Sequence, residues 1–183
     1  MASTSNTPPM DADNAPITNF SHCHEGILRQ LTVMEDLPAQ ALAAERARQT
    51  AESTRNFFRD VIFNHHEEEE RVLFEAVLAS AEPGAELTHV KAITDRLTRE
   101  HRQIEALWAK LEPQLKKMAK GQPVALDPLV LQQLVAQYQA HAAFEESLFL
   151  PLSETILSRN SNHMAALGLS LHVRHITQAP SPT

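Results

Sequence analysis

The sequence predicts an all-α fold, four helices running up, down, up and down as a bundle, with a short extra C-terminal helix. Three observations carry this. The 183 residues include only four glycines and one tyrosine, β-branched residues are sparse, and alanine, leucine, glutamate and glutamine are plentiful, which favours helix over strand. Apolar residues recur at helical rather than alternating spacing. Helix-breaking and helix-starting signals at Pro38, Pro83-Gly84, Gly121 with Pro123, and Asp127-Pro128 cut the chain into lengths that suit a bundle.

Residues 1–16 are polar, contain proline and lack apolar periodicity, so they read as a disordered tail. The first helix is expected from Asn19 or Ser21, either of which can cap it, to about Leu37. The second runs from about Ala41 to Ser80 and carries Phe57, Phe58, Val61, Ile62, Leu73, Phe74 and Val77. The third covers about Glu86 to Lys120, with Pro113 expected to kink or split it. The fourth starts with Asp127 as cap and Pro128 at the first helical position, and runs to about Pro151 or Leu157. A fifth segment, Ser161 to His175, shows Met164, Leu167 and Leu171 at helical spacing. The domain is thus expected over residues 17–157, with residues 158–183 as a C-terminal helix and tail.

Composition sets limits on function. Hydrophobic residues make up 43% and charged residues 21%, ordinary globular usage, and the length suits one domain with a real core. A formal charge of −7 argues against a nucleic-acid partner, which needs a basic face. The single Cys23 excludes an intramolecular disulfide and fits a reducing compartment. The opening stretch has no basic residue before Arg29 and so no signal-peptide n-region, and no apolar run is long enough to cross a bilayer. A cytoplasmic protein with no membrane partner is expected.

Ten histidines are the unusual number, because imidazole is the commonest metal ligand. The second helix contains His65-His66-Glu67-Glu68-Glu69-Glu70, and the fourth His141-Ala142-Ala143-Phe144-Glu145-Glu146. His65 and His141 are 76 residues apart, as are Glu69 and Glu145. A His and a Glu four apart lie on one helical face and can serve one metal cluster. His24 and His101, 77 residues apart and each followed three residues later by isoleucine, extend the duplication to the first and third helices. His22 misses that offset. Four imidazoles and two bridging carboxylates, with an oxo, hydroxo or water bridge, give each of two metal ions five ligands and an open position. Mixed imidazole and carboxylate ligation suits iron or manganese.

This pattern resembles the hemerythrin-like HHE cation-binding domain, with one His in the first and third helices and His-x-x-x-Glu in the second and fourth. The resemblance covers about Ile17 to Leu157. It implies a hemerythrin-like di-iron four-helix bundle with His24, His65, His101 and His141 as nitrogen ligands and Glu69 and Glu145 as bridging carboxylates. The implied cofactor is two iron ions joined by an oxo or hydroxo bridge. The implied partner is a small diatomic ligand, dioxygen or nitric oxide, which the protein binds or senses, or a redox or iron signal. The alternatives are a di-iron redox enzyme (oxidase, peroxidase-like or nitric-oxide-reducing) and an iron-centre repair protein. Two departures matter. Oxygen-carrying hemerythrins have a fifth histidine one turn from the third-helix ligand, where this chain has Leu97 and Glu105. Repair proteins add a cysteine-bearing N-terminal domain, and none is expected here.

The remaining residues have plainer readings. His66, Glu67 and Glu68 are expected on a solvated face, as charge runs on helices usually are. Glu70 and Glu146 recur at the shared offset and can either orient ligands or pair on the surface. Cys23 is expected as a buried inert thiol and Tyr138 as an inward-facing core aromatic. His163, His172 and His175 lie beyond the duplicated region and are expected to be exposed. Glu86 and His89 form the only Glu-x-x-His, so a ferritin-like carboxylate site, which needs two such pairs, falls short.

Overall fold

The computed structural model describes residues 16–159, all helical apart from short connections. The N-terminal tail and the fifth segment, with His163, His172 and His175, lie outside the described residues. Two compact units divide at Arg46 and Ala47.

In the first unit α1 spans Pro16–Glu35, and α2 begins at Leu37. The first helix thus ends before Pro38, and Pro38 itself sits in the first turn of α2, where its missing N–H would be unpaired anyway, so α2 starts earlier than the expected Ala41. Cys23 is exposed, a correction to the expected buried thiol, and His22 and His24 are exposed as well. Along α1, His24, Ile27, Leu31 and Met34 share one helical face, and that face is exposed.

The second unit holds three helical rods. The first continues α2 (Leu37–Phe57) through α3 (Phe63–Glu68) and α4 (Phe74–Ser80), with wide turns at Phe58–Ile62 and Glu69–Leu73. The second is α5, Ala85–Ala119. The third is α6 (Pro128–Phe144) and α7 (Leu150–Leu157), joined by a wide turn at Glu145–Phe149.

The rod ends follow the sequence signals. Gly84, at φ +112°, reverses the chain before α5. Gly121, at φ +68°, closes α5 by donating to the Met118 carbonyl at 2.9 Å, while Gln122 donates to Lys117 at 3.0 Å. Asp127 caps α6 by accepting from the backbone N–H groups of Leu129 and Val130 at 3.0 and 3.1 Å. Pro113 does not split α5, which is assigned as one 35-residue helix. Pro113 and Ala109, whose carbonyl loses its intrahelical donor, are both exposed, so water can take the donor's place.

The core is two apolar clusters. One contains Leu73, Phe74, Val77, Val90, Leu97, Phe149 and Ile156, with Phe74 and Phe149 edge to face at 5.1 Å. The other contains Phe58, Ile62, Ile104, Trp108, Leu111 and Leu134, with Phe58 stacked on Trp108 at 3.8 Å. Every rod carries buried histidine or glutamate between its contributions to the two clusters. A polar layer thus lies between two dry ones. No helix among the described residues is long and apolar enough to cross a membrane.

Candidate metal centre

Core-facing positions bring the polar layer together. His101 follows Leu97 by four residues and precedes Ile104 by three, all three buried on α5. On the third rod His141, Glu145, Phe149 and Ser153 are buried at successive steps of four. In a straight α-helix each step of four overshoots a full turn by about 40°, so three steps would carry the last residue well off the core face. The wide turn removes this drift. Leu150 donates its N–H to the Glu145 carbonyl, five residues back, and Phe74 does the same to Glu69. Such π-type turns recur at functional sites. Here one opens at each of the two carboxylates.

Donor atoms of Glu69, His101, His141 and Glu145 all lie within 4.8 Å of one another, and so do those of His66, His101 and His141. Nε2 of His101 is 3.2 Å from Nε2 of His141. Glu69 turns Oε1 to His65 Nε2 and Oε2 to His101 Nε2, both at 3.3 Å, and Glu145 Oε2 is 3.5 Å from His141 Nε2. Two donors each about 2.1 Å from an ion and about 100° apart at it lie about 3.2 Å from each other. The spacings are those of neighbouring ligands on a metal. Glu145 Oε1 and His66 Nε2 are buried with no hydrogen-bond partner, each a loss of about 1–3 kcal/mol unless something else binds there. The residues fit a metal ion.

A ring of carboxylates holds the imidazoles from outside. Nδ1 of His66 meets Glu105 at 3.2 Å, Nδ1 of His101 meets Glu70 at 2.8 Å, and Nδ1 of His141 meets Glu100 at 3.1 Å. With Nδ1–H donated outward, each Nε2 is left as an inward lone pair, the tautomer a metal requires. Arginines fasten the ring: Arg102 donates to Glu105 at 2.9 Å and also to Glu70, and Arg96 to Glu100 at 2.7 Å.

Electrostatics follow from the crowding. Burial, reinforced by His101 alongside, pushes His66 down to about 4, so it is neutral at pH 7. Burial lowers His141 too, more than Glu100 raises it. Burial also works against the charged form of His101, but Glu69 and Glu70 outweigh it and hold this imidazole above its ordinary value. Glu69 likewise ionises below the usual range, because His101, His65 and His141 overcome its burial. Burial and then the Glu69 charge push Glu145 up to about 8.

Of the six ligands expected from sequence, the structure brings Glu69, His101, His141 and Glu145 into one cluster. His65 touches Glu69 with a side chain one-third exposed, and His24 lies in the other unit. His66, expected on a solvated face, is 1% exposed and faces the cluster. The wide turns on either side of α3 turn it inward, so the charge run is not one continuous face. Glu67 is exposed as expected. Glu70 orients His101, whereas Glu146 is exposed. Tyr138 is partly buried, its ring centroid 6.1 Å from that of His141. Glu100 was not singled out by sequence. Its signal is its place one residue before His101, on the side of α5 that faces His141.

The family described as the hemerythrin HHE cation binding domain matches residues 15–153. A protein of Haemophilus influenzae, described as uncharacterized, is 25% identical over 160 residues, 84% of this chain and 90% of the relative. No solved structure matches.

Proposed function

The chain belongs to the hemerythrin HHE cation binding domain family, and on that premise we propose a non-haem di-iron protein that binds or senses dioxygen, nitric oxide or redox and iron status. The observation that carries this is Glu69, which turns one oxygen to His65 and the other to His101, as a carboxylate spanning two ions does. In this reading His65, His101, His141, Glu69 and Glu145 are ligands, and His24 completes the set. Support for His24 is its place on the exposed apolar face of α1, a face that needs burial. In this reading α1 is the fourth helix of one domain over residues 17–157. The lone Cys23 favours the cytoplasm.

When bound, two irons supply reversible one-electron chemistry and a coordination position for a diatomic molecule. The chain does the rest. The two apolar clusters keep bulk water from the polar layer, and the outer carboxylates fix the imidazole lone pairs toward it.

The test is metal analysis of protein purified without added metal, joined to optical spectra in air, after anaerobic reduction, and during titration with nitric oxide. About two irons per chain and a spectrum that shifts with either gas are expected. One ion per chain, or zinc alone after growth in iron-replete medium, would overturn the reading.

A further inference from the structure

We propose that His66 is itself a metal ligand, an additional imidazole that serves the ion neighbouring the one held by His101 and His141. The proposal rests on the dinuclear reading above and extends it to a residue outside the six-ligand set.

The first argument is burial without a partner. His66 is 1% exposed, its Nδ1 is held by Glu105, and its Nε2 meets no hydrogen-bonding group. A side chain needed only for packing would be better made of carbon, since phenylalanine fills a similar slot and strands no acceptor. The same arrangement, Nδ1 to a carboxylate and Nε2 inward, recurs at His101 and His141. His66 is built as they are.

The second argument is ring geometry. An imidazole binds an ion that lies in its own plane, along the lone pair of the nitrogen. The rings of His101 and His141 stand at 70° with their Nε2 atoms 3.2 Å apart, so both planes can contain one ion. The rings of His66 and His101 instead lie nearly parallel, at 6°, with centroids 4.0 Å apart. Parallel planes at that separation cannot share an ion. They can each hold one, because paired ions in two-metal sites lie about 3.5–4 Å apart. The stack of His66 on His101 has the spacing of such a pair. Glu69 gives one oxygen to His101 and turns the other to His65, the neighbour of His66 in the chain.

The test compares wild type with His66→Ala, His66→Phe and His66→Gly for iron retained after dialysis against a chelator, alongside far-UV circular dichroism and the optical spectrum. His66→Phe keeps the ring and the packing but removes the donor, so it guards against loss through misfolding. Wild type should retain about two irons. His66→Ala and His66→Phe should keep their helicity yet retain roughly one, and added imidazole should restore the second iron to His66→Gly. If His66→Phe retains iron and spectrum like wild type, or imidazole does nothing for folded His66→Gly, His66 is not a ligand while the dinuclear reading stands. If wild type itself retains fewer than about two irons, the dinuclear reading falls and takes this proposal with it.

Discussion

Glu69 and Glu145 carry one negative charge between them in the metal-free protein. Burial and the Glu69 carboxylate push Glu145 up to about 8, while neighbouring imidazoles keep Glu69 ionised. A folded-state value raised above the unfolded one gives stability that is present at low pH and lost as pH rises through about 8. His66, depressed to about 4, has the opposite sign: its contribution is present above the ordinary histidine value and lost as pH falls through about 4. Thermal melts of the metal-free protein should therefore show a midpoint that drops on both flanks. Glu145→Gln should flatten the alkaline flank alone. Loading with iron should remove it in the native protein, because a bound cation displaces that proton.

Removing either proposed bridging carboxylate should cost metal as well as stability. Glu69→Ala and Glu145→Ala should each fall from about two irons per chain to fewer than one, read by elemental analysis. His22→Ala, on an exposed position of α1, should match wild type. Loss of iron from His22→Ala with none from His24→Ala would reverse the assignment on that helix.

The outer carboxylates should set affinity without setting stoichiometry. Glu70→Ala and Glu100→Ala free the Nδ1 atoms of His101 and His141 to change tautomer. Each should weaken metal binding about 10–100-fold in a competition titration with a chromophoric chelator, while saturation still reaches the wild-type content. Glu146→Ala, at an exposed position, should leave the titration unchanged.

A control far from the centre tests the fold alone. Asp127→Ala strands the N–H groups of Leu129 and Val130 and should lower stability by about 1 kcal/mol in chemical denaturation. Its iron content should stay at the wild-type value.

The sequence made some of this legible and hid the rest for physical reasons. Asp127-Pro128 announces the start of α6 because cap and first-turn chemistry are local. The paired His-x-x-x-Glu segments point to Glu69, His141 and Glu145 because a step of four stays on one face over a single turn. His66 was misplaced by a different rule, that a run of charges on a helix lies in solvent. The widened backbone on either side of it cannot be inferred from a charge run. Core residues at repeated steps of four, as at His141, Glu145, Phe149 and Ser153, are the trace such a turn leaves in a sequence. Pro38 correctly marked a break, since α1 ends at Glu35, whereas Pro113 splits nothing: proline ends a helix only where its missing N–H is needed, and at an exposed turn of α5 water can stand in.

The wide turns also decide where each rod can change its length. A turn closed by a bond five residues back holds one residue more than the regular ladder would, and it sits directly after Glu69 and Glu145. Deleting the exposed Val72 would let the first of these turns close into the regular ladder. Because the turn already absorbs that residue, the segments before and after it would keep their facing, and the polar layer and the Phe74–Val77 side of the core would still point inward together. Deleting the exposed Arg99 from α5, which has no such turn, would instead rotate His101 and everything beyond it by about 100° against Val90 and Leu97. The rods thus have a reading frame of their own, with a spare position only where a wide turn holds one.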